Sequence, residues 1–478
     1  MERLERSLSG IEDSILKRQR IRVVRERRED KTVRVLSGPL VGEVGETFAV
    51  ILLEINVSTE VSCCLSIIDT GSPDGRVVAE CTVYLRAGIP GRFVFRDLNP
   101  GESYSFSFNR IRKRDADTRV GHFRTLGGRN CSKMKIALIG DCGETDSSRE
   151  FRCENAWNSL RDEVRSCELV LHLGSQVHGL GYDHDRLFVS NVQRQLETRI
   201  SAEQYRSAFN VPCVKSVYAN SSNLSICGRL DRDLGRECYK RYQFSSCLSQ
   251  GKELYHKHVY GPIGIFCLHE RGHRRWAGES RDASTPVYSK AQLESFNEIL
   301  SNPRIRILIV ATSEPIVQFS SQEMEIMEKR NASQDRARYS TMERSARIEI
   351  LDRVFEWKRE DLKHRDVVLV TETASVSFIT SIKDTKKTVE IRQIAVGPMI
   401  RSSCDFLPNL QGSIAKGKYV YEHEIVGKKR RDQDFAVLTL SPVNPTGPVE
   451  MTLKDASAIT PWPLWPKVSV EIDWHGMI

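Results

Sequence analysis

The chain has 478 residues, of which 40% are hydrophobic and 28% charged, and its net charge is +8. That length supports two or three domains with a substantial core, and that balance is ordinary for a soluble globular protein. No apolar run approaches the ~20 residues that span a bilayer, so no membrane-spanning helix is expected.

The start, MERLERSLSG, lacks an apolar signal core, which argues against secretion and for a cytoplasmic, reducing compartment. The cysteines number thirteen, an odd count. Cys63 and Cys64 are adjacent, and the nearest thing to a spaced pair is Cys227 with Cys238. They read as reduced, mostly buried thiols rather than zinc ligands.

Residues 1–34 read as a basic amphipathic helix. Leu4, Leu8, Ile11 and Ile15 form one apolar stripe. Lys17, Arg18, Arg20, Arg22, Arg25, Arg27 and Arg28 follow, and from Lys17 to Arg34 nine basic and three acidic residues give +6. This is either a solvated face packed on the protein or a neighbour, or an arm whose Arg18, Arg20, Arg22 and Arg25 contact an acidic partner. Nucleic acid is disfavoured because few aromatics are interleaved for stacking. A mitochondrial presequence is disfavoured by Glu2, Glu5, Glu12 and Asp13.

Residues 35–126 read as all-β. FAVILLEI (Phe48–Ile55), VSCCLSII (Val61–Ile68), VVAECTVYL and RFVFRDL are separated by turn clusters such as DTGSPDG and NPGE. The spacing predicts a sandwich of about seven strands. Residues 127–130 form a linker.

From 131 to about 400, strands and helices alternate, which predicts an α/β domain with a central sheet. The predicted strands are 134–140, 168–173, 262–268, 304–311 and 366–371, and the predicted helices 150–165, 287–300 and 342–359. The polar stretch 320–341 reads as a surface insertion. Beyond 400 the chain returns to short strands, among them GKYVYEHEIV and DFAVLTLS.

The most informative stretch is 134–185. MKIALIG runs into Asp141-Cys142-Gly143, and LVLHLG runs into Ser175-Gln176-Val177-His178, with a helix between. That is a βαβ unit, and loops at the carboxyl ends of such strands carry the chemistry. Asp141 and Cys142 are either metal-competent or a turn aspartate beside a buried thiol. The loop after the second strand holds His178, Asp183 and His184, which could build a rearranged metal site or merely face solvent, with His172 pointing into the core. His269, Glu270 and His273 follow a strand and flank Gly272, so a ligand-bearing helix is not expected.

GDCG and LHLGSQVHG resemble the first two motifs of the PhoD-like (alkaline phosphatase D-like) metallophosphatases. SGPLVGEV, LNPGESYSFSF and GHFRT resemble the fibronectin-III-like domain that precedes the catalytic domain in eukaryotic members. YRSAFNVP, DVVLVT and VEIRQIAVGPM, including Gln393, resemble further landmarks, and YEHE and DFAVLTL resemble the family's tail. The resemblance implies α/β plus β: an N-terminal fibronectin-III-like β-sandwich over 35–126, then a metallophosphatase-like α/β sandwich over 131–455 and a tail over 456–478.

It also implies a damaged centre. Such a phosphatase holds two cations about 3.5–4 Å apart with carboxylates and imidazoles. Ser175 stands where the family has the bridging Asp, and His178 where it has an aromatic. The third motif ends in Gly228-Arg229-Leu230 instead of acidic residues and His. His269 replaces an Asp, although Arg271 remains. In the fourth motif, Gly-Asp-Val-His, DVVLVT is followed by Glu372-Thr373-Ala374-Ser375, with Thr373 at the Asp and Ser375 at the His.

Position by position, Asp141 and Cys142 alone can ligate. The expectation is a catalytically inactive homologue, without cofactor. It would be a protein-binding or structural subunit whose partner has an acidic surface, such as a cytoskeletal filament, and Arg229 and Arg271 would be left for an anion or partner. The alternative is an active phosphatase or phosphodiesterase using calcium, manganese or iron on Asp141, Cys142, His178, Asp183 and His184. A third reading is a β-sandwich adaptor with an idle α/β domain.

Overall fold

The computed structural model describes residues 32–68, 76–111, 120–127, 134–140, 154–174, 176–177, 201–227, 235–248, 253–269, 288–317, 344–372, 377–384, 388–397, 399, 412–414, 420–425, 434–441 and 450–455. The first seven strands are β1 (Val35–Val44), β2 (Ala49–Ile55), β3 (Thr59–Ile67), β4 (Val77–Leu85), β5 (Gly91–Phe95), β6 (Ser103–Phe108) and β7 (Val120–Arg124). They form two antiparallel sheets, ordered β1-β2-β5 and β4-β3-β6-β7. In β3, Val61, Cys63 and Leu65 turn inward while the residues between them are partly exposed, the period of two that a half-buried strand imposes. These side chains meet Ile51, Leu53 and Phe93 of the facing sheet in one core. Phe93 and Phe108 close it edge-to-face at 5.2 Å.

β2 is buried along its whole length. Its second face has a different partner, since Leu40 and Leu52 belong to a core cluster shared with helices of the next unit. That is why AVILLEI shows no polar alternation.

The rest of the chain runs β8 (Met134–Ile139), α1 (Glu154–Val164), β9 (Leu169–His172), α2 (Ala202–Phe209), α3 (Pro212–Ala219), β10 (Asn223–Ser225), α4 (Arg236–Tyr242), β11 (His256–Tyr260), β12 (Ile263–Cys267), α5 (Lys290–Leu300), β13 (Ile307–Thr312), α6 (Arg344–Glu360), β14 (Asp366–Glu372), β15 (Phe378–Asp384), β16 (Glu390–Val396), β17 (Gly412–Ile414), β18 (Tyr421–Ile425), β19 (Asp434–Leu440) and β20 (Glu450–Asp455). Two mixed sheets result, β10-β9-β8-β19-β20 and β11-β12-β13-β14-β16-β15-β18-β17. β8, β9 and β10 are parallel, and so are β12, β13, β14 and β16.

Alternate residues sort these sheets into layers. Ile136 and Leu138 of β8 face Ile307, Ile309, Val368 and Val370 of the other sheet. Ala137 and Ile139 point the opposite way, toward Trp157, Leu160, Phe209 and Val217 on α1, α2 and α3. Leu308, Val310, Val367 and Leu369 meet Phe296 and Ile299 of α5 and Leu351, Val354 and Phe355 of α6. The order is helix, sheet, sheet, helix, with both sheets covered on both faces as parallel strands require.

Local chemistry sets the helix starts. Ser201 and Gln204 make a capping box for α2, Pro212 occupies the first turn of α3, and Ser289 caps α5 through Gln292 N. The strand predicted over 304–311 begins instead at Ile307, because Ile305 N still bonds Asn302 O in a turn and the chain first meets the start of β12 where Arg306 N bonds Pro262 O. The predicted insertion at 320–341 and the tail 456–478 lie outside the described residues.

The sandwich is fastened to the first mixed sheet and its helices by polar groups. Glu54 of β2 is fully buried and receives Arg206 Nη2 at 2.5 Å, Arg206 Nε at 3.0 Å and Tyr242 Oη at 2.9 Å. Asn223 Nδ2 donates to Val41 O at 3.1 Å, and Ser222 Oγ bridges Gly42 O and Val44 N. Among the described residues, no helix is long and apolar enough to cross a membrane.

Candidate functional site

In open parallel sheets, ligand sites form beyond the carboxyl ends of the strands. Here Gly140 follows β8, Gly174 lies two residues past β9, Glu372 ends β14 and Gly397 follows β16, and the ends from the two sheets converge. A Cβ on Gly140 would lie 2.4 Å from Gly397 O and 2.8 Å from Val396 O. Two backbones approach there with no room for a side chain, which is the physical demand for glycine.

A Cβ on Gly174 would lie 1.3 Å from Glu372 Oε2. The Glu372 carboxylate therefore fills the volume directly over the end of β9, the strand that leads to Ser175. Position 372 is where the resembling motif carries glycine. Nothing in local sequence marks Glu372 as a site residue. Its register after DVVLVT was the available signal.

His172, the last residue of β9, is engaged at both ring nitrogens. Nδ1 lies 2.8 Å from Gln176 Oε1 and 3.4 Å from Tyr218 Oη, and Nε2 lies 3.0 Å from Asn223 Oδ1. Tyr218 stacks on its face at 4.9 Å. Burial pushes its pKa down to about 4. It is a core histidine that orders the loop start, with no ring nitrogen directed at a ligand.

Behind β13, Thr312 Oγ1 bonds the Glu314 backbone, while Gln393 clamps Val317 by accepting from its N at 2.9 Å and donating to its O at 2.5 Å. Gln292 holds the His269 backbone at both N and O, so the end of β12 is fixed as well.

The sequence-derived positions themselves, Asp141, Cys142, Ser175, His178, Asp183, His184, Gly228, Arg229, Leu230, Arg271, Thr373 and Ser375, lie outside the described residues, as do Arg18, Arg20, Arg22 and Arg25. Their flanks Gly140, Gly174, Cys227, His269 and Glu372 are described. Glu314 and Glu372 are the carboxylates just beyond the described parallel-strand ends, and they belong to no cluster of three metal-competent side chains. The one such cluster among the described residues is Cys247, His256 and His258, which sequence spacing did not single out.

No protein-family model matches the chain, and no curated protein is similar to it in sequence. Among solved structures, that of PhoD aligns over 86% of this chain and 85% of its own, with 14% identity and a TM-score of 0.60. The fold is PhoD-like. GAP50, the anchor in the inner membrane complex of Plasmodium, aligns over 68% of this chain and 85% of its own, with 11% identity and a TM-score of 0.35.

The converging strand ends are where open parallel sheets hold ligands. Among the described residues there, side-chain donors for a metal are few. Gly140 and Gly397 offer backbone only, His172 is committed to Gln176 and Asn223, and Glu372 intrudes as a single carboxylate.

Proposed function

We propose that this chain is a PhoD-like phosphatase homologue that has lost catalysis. It acts as a protein-binding or structural subunit of a larger assembly. The reading divides the chain into a fibronectin-III-like sandwich over 35–126 and a metallophosphatase-like domain over 131–455. The observation that carries it is Glu372 seated over Gly174. A side chain at a motif glycine occupies space between the sheet ends and sets negative charge where a phosphate would enter. Its single charge cannot hold two cations when the neighbouring motif positions are Ser175, Leu230, Thr373 and Ser375, with Arg229 repelling them.

The buried Glu54–Arg206–Tyr242 contact supports sandwich and α/β unit working as one body, which weighs against an adaptor with an idle domain. The basic stretch 17–34 is the proposed dock for an acidic protein surface, such as a cytoskeletal filament, in the cytoplasm.

The test is hydrolysis of p-nitrophenyl phosphate and bis-p-nitrophenyl phosphate with manganese, calcium or iron added. The expected result is no turnover above that of Asp141→Asn. Turnover that Asp141→Asn abolishes would make the protein an enzyme. For the docking arm, a pull-down with full-length chain should lose its acidic partners when residues 1–34 are removed, and unchanged partners would refute the arm.

A further inference from the structure

At the edge of the α/β unit where the sandwich docks, four buried residues from distant segments meet. Glu43 comes from β1, Cys247 from the loop after α4, and His256 and His258 from β11. All four are at most 6% exposed. His256 Nδ1 and His258 Nε2 face each other at 2.6 Å. One ligand atom each from Cys247, His256 and His258 fits within 4.8 Å of the others.

The outward ring nitrogens are already occupied. His258 Nδ1 lies 2.7 Å from Glu43 Oε1, and His256 Nε2 lies 3.0 Å from Ser225 O. Metal-binding histidines are oriented in this way, by a carboxylate or a carbonyl on the second nitrogen, which leaves the first aimed at the ion.

The backbone around the cluster is fixed. Arg92 Nη2 donates to Cys247 O at 2.7 Å, and Leu248 N donates to Glu43 Oε2 at 2.6 Å. Tyr239 Oη donates to Ser225 O at 2.6 Å, and Tyr260 stacks on His258. Gly42 lets β1 come this close, since a Cβ there would meet Ser246 O at 2.4 Å.

We propose that Cys247, His256 and His258 form a buried binding site for one divalent transition metal of the zinc class, with Glu43 as the positioning residue for His258. Two imidazoles and one thiolate are a borderline-soft set that suits zinc and excludes calcium and magnesium. Metal–nitrogen bonds of about 2.0–2.1 Å would part the facing nitrogens to roughly 3.3 Å, a shift that side-chain torsions can supply.

Charge balance favours the exchange. Three hydrogen bonds run from Ser225 O through both imidazoles to Glu43, so three protons lie between two groups that can only accept. Two neutral imidazoles hold two of them, and the third offsets the Glu43 carboxylate. A thiol must give up its proton to ligate a metal. A divalent ion that displaces this thiol proton and the third shared proton leaves the buried charge unchanged, with two protons released. The ion would tie the sandwich, through Glu43, to the α/β unit.

The test is metal analysis of the full chain, made without a polyhistidine tag and loaded with zinc sulfate against a chromophoric chelator. The expected result is about one zinc per chain that dialysis does not remove. Cys247→Ser and His258→Gln should bind at least tenfold more weakly, and Glu43→Gln about 10–100-fold more weakly. Cobalt in the same chain should show a thiolate charge-transfer band that Cys247→Ser removes. Wild-type chain that takes up no zinc or cobalt overturns the site, whatever the variants do. Metal that survives Cys247→Ser but is lost in Asp141→Asn overturns it too, and that outcome would separately count against the non-catalytic reading.

Discussion

Two regions of this molecule, the converging strand ends and the seam with the sandwich, have opposite characters. Between the strand ends, glycines bring backbones together and the Glu372 carboxylate lies against Gly174. At the seam with the sandwich, the Glu43 carboxylate and the His258 and His256 imidazoles are buried in one hydrogen-bonded row, with the buried Cys247 thiol beside them. Layers and ligand chemistry answer to different parts of a sequence. Layers depend on apolar alternation, which tolerates any loop. A metal centre depends on a few loop side chains, each dispensable to the core.

The contrast can be broken at the seam first. Arg206→Ala leaves the fully buried Glu54 carboxylate without its cation and should cost about 3–5 kcal/mol in urea unfolding. A loss under about 1 kcal/mol would mean the seam is not a structural joint.

Acid should act next, through His172. Its folded value of about 4 lies below the ordinary value near 6.5, so the unfolded chain binds more protons between those limits. Stability should fall as pH drops from 6.5 toward 4, by on the order of 3 kcal/mol from this group. Denaturation midpoints across that range for wild type and His172→Gln would show it, with a shallower slope in the variant.

At the strand ends, Gly174→Ala sets a methyl group into the Glu372 carboxylate and should destabilise by about 1–3 kcal/mol. Adding Glu372→Gly should restore most of that. Additive losses in the double variant would show that the two residues do not contend for one space.

The smallest effect belongs to the surface. Lys240→Ala removes an exposed pair with Glu237 and should change stability by less than about 0.5 kcal/mol, a baseline for the same assay.

Much of the fold was legible. The strands starting at Met134, Leu169, Ile263 and Asp366 fall within a residue of where apolar runs place them, α5 lies within its predicted helix, and α6 runs one residue past its own. The short elements were not. β10 has three residues, and β11 alternates buried histidines with exposed residues in HKHVY, which reads as polar chain until a partner covers one face. In the candidate site, the glycines and the register of DVVLVT were readable, and the direction of the Glu372 side chain was not.

Sequence alone determined the layers here, because burial on one or two faces writes a period of two or 3.6 into neighbouring residues. Only tertiary structure decided the seam. Glu54 meets Arg206 across 152 residues, and Glu43 meets His258 across 215. Such pairs leave no local periodicity, since what joins them is the docking of two separately formed cores and the need of each buried charge for a partner.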